Sequence, residues 1–258
     1  MGNNSHYWKN KENLSTEAVI HTKIMTRDFN KEIKYSIDNS ILYGGPNNSP
    51  QPKNINKNTK FIFYNGTTQE AIFKFYTKNL SVLNFASYKY PGGGFLAGSS
   101  AQEEMLCHNS FLYNVISTFK DYYNWNNEHK NKALYLDRAI YSPEIYFFNK
   151  KKQFAKVSVI TCAAPNFGAA NQYQNINREE NYEILKNRIN FIKKIAEENN
   201  TDTLILGAFG CGVFKQPPED VSNLIYKIFE NSSIPKIIIA VPGKDHNMEI
   251  FRKKFEKN

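Results

Sequence analysis

Residues 81–104 read SVLNFASYKYPGGGFLAGSSAQEE, and the order of chemistries in this stretch decides the fold. SVLNFA is an apolar, strand-like run. Gly92, Gly93 and Gly94 follow, where a backbone can take positive φ and approach a ligand with no Cβ in the way. Gln102, Glu103 and Glu104 then open a pattern of helical period carried by Met105, Leu106, Leu112, Val115, Ile116 and Phe119. The reading is strand, glycine loop, helix start with carboxylates. Free N–H groups at such a place suit a phosphate. Carboxylates there do not, so they need another task.

The surrounding chain repeats the strand-then-helix order. Residues 61–64 (FIFY) predict a strand, and Thr67, Thr68, Gln69 and Glu70 form a capping box that opens a helix to about Lys78. Residues 156–162 (KVSVITC), 203–206 (TLIL) and 236–241 (KIIIAV) predict buried strands. Residues 178–199 predict an amphipathic helix, Pro217 and Pro218 open another, and a short one starts near Asn247. Unbroken apolar strands alternating with helices specify a sheet covered on both faces, an α/β three-layer domain. Ahead of it, residues 1–13 are polar and expected to be disordered, 15–27 helical, and 44–58 a linker. Residues 121–152 read as a hairpin-like excursion, and the aromatic, Asn-rich part around 121–131 as a lid or a loop.

Composition narrows the function. The 258 residues are 41% hydrophobic and carry a net charge of +9. That charge suits a polyanionic partner, or reflects a general preference for Lys and Asn. No run approaches a membrane span, and the polar start lacks a secretory h-region, so an intracellular, cytoplasmic protein is expected. His6 stands where a myristoylation start needs Ser or Thr. Cys107, Cys162 and Cys211 are odd in number and lack metal-ligand spacing, which fits reduced, packed thiols. No G-K-[ST], G-x-S-x-G or H-E-x-x-H occurs, and neither metal nor cofactor is expected.

Ligands of open α/β sheets bind at the carboxyl ends of strands. Three segments fall there: 84–104, 163–166 (AAPN) and 207–214 (GAFGCGVF). On a helix Glu103 and Glu104 diverge by about 100°, so a flanking pair of the usual glycosidase kind is a poor fit. One carboxyl could transfer a proton while the other positions a hydroxyl. A helix start lowers a carboxylate pKa and a bound diphosphate raises it, so the acid is expected to become competent with anionic substrate present.

The GGG, seven-residue gap and QEE resemble the bacterial-type poly(ADP-ribose) glycohydrolases, which are macrodomain proteins. LNFAS at 83–87, YSP at 141–143, AAPN at 163–166, GAFGCGVF at 207–214 and Asn247…Phe251-Arg252 resemble that family's blocks in order, from about residue 60 onward. The resemblance implies a three-layer α/β/α macrodomain with a mixed central sheet at 59–258 and a helical N-terminal extension at 1–58. It implies hydrolysis of ribose–ribose O-glycosidic bonds to release ADP-ribose. By that likeness Glu104 is the catalytic acid and Glu103 holds ribose hydroxyls. Gln102 belongs to the same motif, as a ligand-binding residue. Gly92, Gly93 and Gly94 pass close to the distal ribose and diphosphate, and Asn84 contacts that ribose. Gly210, Cys211, Gly212, Val213 and Phe214 form a second diphosphate loop, with Phe214 packing on the ligand and Phe251 stacking on adenine. Ala97 and Ser100 stand where many relatives carry larger polar residues. Expected partners are poly(ADP-ribose) or an ADP-ribosylated macromolecule, with ADP-ribose as product. Nucleic acid is a less favoured partner. The rival functions are removal of single ADP-ribose units and non-catalytic reading of ADP-ribose.

Overall fold

The computed structural model describes residues 2–44, 48–51, 59–149, 151 and 153–256, with the side chains of 2–9 excepted. Seven strands form one sheet: β1 Ile41–Tyr43, β2 Lys60–Tyr64, β3 Leu80–Phe85, β4 Ala139–Phe148, β5 Phe154–Cys162, β6 Thr203–Leu206 and β7 Lys236–Ala240. Their order is β1-β4-β5-β3-β6-β7-β2. From β5 to β2 every pairing is parallel, whereas β1 and β4 are antiparallel additions, so the sheet is mixed. The helices are α1 Gly2–Asp28, α2 Asn30–Asp38, α3 Thr68–Lys74, α4 Gln102–His108, α5 Leu112–Ile116, α6 Lys120–Glu128, α7 Phe167–Gln174, α8 Arg178–Glu198, α9 Pro218–Phe229 and α10 His246–Phe255.

Strand periodicity splits the core in two. Leu83, Ile160, Leu204, Leu206, Ile237 and Ile239 pack on one face with apolar residues of α8, α9 and α10. Their neighbours Val82, Val159, Ile205 and Ile238 pack on the other face with residues of α1 to α5. Successive side chains of a strand point to opposite faces, so unbroken apolar strands feed both layers. The Thr67–Glu70 capping box is present and starts α3.

The structure departs from the sequence reading at four places. Residues 2–13, expected to be disordered, continue α1. Ser15 Oγ bonds the carbonyl of Leu96 at 2.6 Å, so this helix is tied to the glycine loop. The single helix expected over 102–119 is two, because Asn109 and Ser110 give their backbone to β4: Ser110 bridges Phe147, and Phe148 N–H reaches Asn109 O at 2.8 Å. The excursion at 121–152 holds α6 and then β4, which makes an antiparallel hairpin with β5. Pro143 is tolerated inside β4 because the register shifts between Ser142 and Ile145. Helix α7 had no apolar period to reveal it. The linker expected at 44–58 lies largely outside the described residues.

Candidate active site

The parallel strands end at one edge of the sheet, where a cleft of about 400 Å³ opens over β3, β5 and β6. Its walls include Ser87, Gly93, Glu103, Glu104, Ala164 and residues from Ala208 to Phe214. This is the position the topology of an open α/β sheet favours for a ligand.

Two carboxyls converge on Gly93. A Cβ at that residue would meet Glu104 Oε1 at 2.7 Å and Glu103 Oε2 at 3.0 Å, and its φ is +57°. A side chain there would displace both carboxyls. Although successive helical positions diverge, the long Glu side chains bend back to the same point beneath the loop. Gly94 N–H donates to Glu104 Oε1 at 2.8 Å. Glu104 Oε2 is buried and has no hydrogen-bond partner among the described residues. Glu103 is held on both oxygens: Asn84 Nδ2 donates to Oε1 at 3.1 Å and Ser87 N–H to Oε2 at 2.7 Å. Glu104 is therefore held on one oxygen and Glu103 on both.

Burial pushes the Glu103 carboxyl up to about 8, and adjacent Glu104 adds to the rise. The bonds from Ser87 and Asn84 oppose the shift, but desolvation wins. Glu103 is thus expected to carry a proton at neutral pH, the reverse of what a helix start alone would give. Burial likewise raises the Cys211 thiol to about 12, so this cysteine is no thiolate nucleophile.

The opposite wall is the second glycine loop. Gly210 has φ +77°, and a Cβ there would press on Ala164 at 2.7 Å. A buried pair supports the turn: Gln216 N–H bonds Gly210 O at 3.0 Å, and the side-chain amides of Gln216 and Asn181 exchange two bonds of 2.8 Å. Among the described residues, no backbone carbonyl takes the amides of Gly212, Val213 and Phe214. Successive free amides in a turn make an anion site.

The sequence profile "Microbial-type PARG, catalytic domain" matches residues 9–150, more than half of the chain. The chain belongs to this family. PARG denotes poly(ADP-ribose) glycohydrolase. The poly(ADP-ribose) glycohydrolase of Thermomonospora curvata superposes with a TM-score of 0.82 at 23% identity, covering 95% of this chain and 100% of that one. Its structure with the inhibitor ADP-HPD gives 0.80 at 23% identity over the same shares. The Deinococcus radiodurans enzyme in complex with ADP-ribose gives 0.75 at 27% identity, covering 87% of this chain and 97% of that one. No curated protein matches the chain.

Within this PARG-family domain the expected site residues divide. Gly93, Gln102, Glu103, Glu104, Gly210, Gly212, Val213 and Phe214 line one cleft. Gly92 packs behind it, where a Cβ would strike the Tyr113 ring at 2.8 Å. Gly94 spends its N–H on Glu104. Gln102 is tethered to β3: its Oε1 accepts Phe85 N–H at 2.8 Å and its Nε2 donates to Leu83 O at 2.9 Å. Cys211 is half-buried and is not among the residues lining the cleft.

Asn84 is fully buried and donates to Glu103 Oε1. One expectation is corrected. Phe251 is fully buried beside Phe255, with ring centroids 6.3 Å apart, and is out of reach for stacking on adenine. Sequence reasoning missed the Ser87 amide and the Asn181–Gln216 pair. It also missed Arg188, fully buried, which donates to the carbonyl of Ala163 and pairs with Asp137 at 2.6 Å beneath the cleft.

Proposed function

We infer that this chain hydrolyses the ribose–ribose O-glycosidic bond of poly(ADP-ribose) and releases ADP-ribose. The observation that carries the reading is the convergence of Glu103 and Glu104 on Gly93, across a cleft from the free amides of Gly212, Val213 and Phe214. A diphosphate on that loop leaves the attached ribose to reach toward the carboxyls. Glu103, rigidly held, orients ribose hydroxyls. Glu104 passes its proton to the bridging oxygen as the bond from the anomeric carbon to that oxygen breaks, leaving an oxocarbenium-like centre. Glu104, now a carboxylate, takes a proton from water as the water oxygen bonds that carbon. One water is consumed, one hydroxyl forms on each product, and the acid is restored.

Adenine finds a place in a second chamber of about 230 Å³, which shares Phe85, Ala101, Gln102 and Ala208 with the cleft and continues to Val241 and Pro242. This replaces Phe251 as the proposed adenine contact. Residues 59–258 carry the catalytic machinery, and 1–58 act as an extension that adds β1 to the sheet and braces the glycine loop through Ser15. Among the described residues no helix is long and apolar enough to cross a membrane, and we place the activity in the cytoplasm. Nucleic acid is not needed as a partner.

The test is side-by-side incubation with polymer and with mono-ADP-ribosylated protein, identifying what is released. Free ADP-ribose from polymer supports the reading. Release from mono-modified protein alone would replace it with single-unit removal. Binding without release would make the domain a reader.

A further inference from the structure

A second cavity, of about 350 Å³, lies outside the cleft and is lined by Lys89, Lys130, Lys132, Tyr135 and Asn166 among others. Three relations set it beside the cleft. Ser87 lines the cleft and Lys89, two residues on, lines the cavity. Ala164 and Asn166 repeat that relation. The rings of Phe214, on the cleft, and Tyr135, in the cavity, lie 6.0 Å apart. The two spaces are neighbours, and the shared wall passes Ser87, whose amide holds Glu103.

We propose that this cavity is the leaving-group subsite, and that its lysines bind the diphosphate of the ADP-ribose unit on the far side of the scissile bond. The proposal rests on the polymer-hydrolase reading. The unit being released occupies the cleft, with its diphosphate on the second glycine loop and its anomeric carbon at the two carboxyls. The rest of the polymer leaves from that carbon, through the bridging oxygen, and its next charge is another diphosphate. Three lysines and no Asp or Glu line the cavity. Among the described residues none of the three pairs with a carboxylate. An unpaired cationic lining favours a doubly charged group.

The backbone of the wall supports a ligand role. Asn131, Lys132 and Ala133 have φ of +44°, +52° and +67°, and Tyr135 has +62°. Three consecutive left-handed non-glycine residues are sterically costly, and such strain concentrates at ligand clamps. The surroundings hold it: Asn166 N–H bonds Ala133 O at 3.0 Å, Asn131 Nδ2 bonds Tyr135 O at 3.1 Å, and Tyr135 stacks on Tyr88 at 4.2 Å. Lys130 and Lys132 are thereby carried on a turn fixed to the same strand end as the cleft.

The experiment compares two substrates in wild type and in Lys89→Ala, Lys130→Ala, Lys132→Ala and the triple variant. One substrate is poly(ADP-ribose). The other is ADP-ribose bearing a neutral aryl group on the anomeric oxygen, which has no phosphate beyond the scissile bond. The triple variant should lose about tenfold or more in kcat/KM on polymer, with a shallower salt dependence, and keep its rate on the aryl substrate. Lys→Arg replacements should restore polymer turnover. Equal losses on both substrates, or undiminished polymer turnover, would overturn the subsite. If wild type cleaves the aryl substrate but not polymer, the polymer reading and the subsite fall together. If it cleaves polymer and the lysines are silent, the subsite alone falls.

Discussion

The amide of Gly94 and the carboxyl of Glu104 form a 2.8 Å hydrogen bond, and this bond determines which oxygen of that carboxyl stays unengaged. Oε1 is committed to the loop, while Oε2 has no partner among the described residues. The glycine loop is therefore a seat for the two carboxyls.

Gly93→Ala tests that seat. The new methyl would meet an oxygen of each glutamate at 2.7 and 3.0 Å, on a backbone with φ of +57°. The variant should fold, losing about 1–2 kcal/mol from the left-handed position. Its kcat should drop about 100-fold, as expected when reacting groups shift by about an ångström. Near-normal kcat would show that the carboxyls need not sit where they do.

Glu103 predicts a pH dependence of stability. Its folded pKa of about 8 lies above the ordinary 4.5, so the folded state retains a proton that the unfolded chain has released. Stability from this group therefore falls as pH rises from about 4.5 to about 8. Glu103→Gln removes that dependence. The variant also loses an acceptor toward Ser87 or Asn84, so slopes must be compared, not absolute values. The melting temperature of wild type should decline relative to the variant between about pH 5 and about pH 9. Parallel curves would mean that the carboxyl is ionised throughout.

Phe251→Ala separates packing from ligand contact. Removing a fully buried ring should cost roughly 3–5 kcal/mol of stability. The folded fraction should bind ADP-ribose as wild type does. Weakened binding with unchanged stability would restore the stacking role that the structure denies.

The order of strand, glycine loop and carboxylates was legible because all three lie within one stretch of chain, where spacing alone places them. The clues to the burial of both Asn84 and Phe251 were present in the period. Asn84 follows Val82 on the α4 face of β3, so strand alternation aims it at the Glu103 side. Met248, Phe251 and Phe255 are spaced as a buried helical stripe and pack together in the core. The division of the expected helix at Asn109 was not legible, because it depends on β4 pairing from a distant part of the chain. Lys89, Lys130, Lys132 and Asn166 come from three separate segments with no common period, and only the fold brings them to one cavity.

The most direct measurement pairs ADP-ribose affinity with polymer turnover in Glu104→Gln. The substitution keeps the shape and the acceptor for Gly94, and removes the transferable proton. ADP-ribose should bind as tightly as to wild type, while turnover falls by about 10²–10⁴. Turnover at the wild-type rate would contradict the role given to Glu104, and so would a loss matched by an equal loss of affinity.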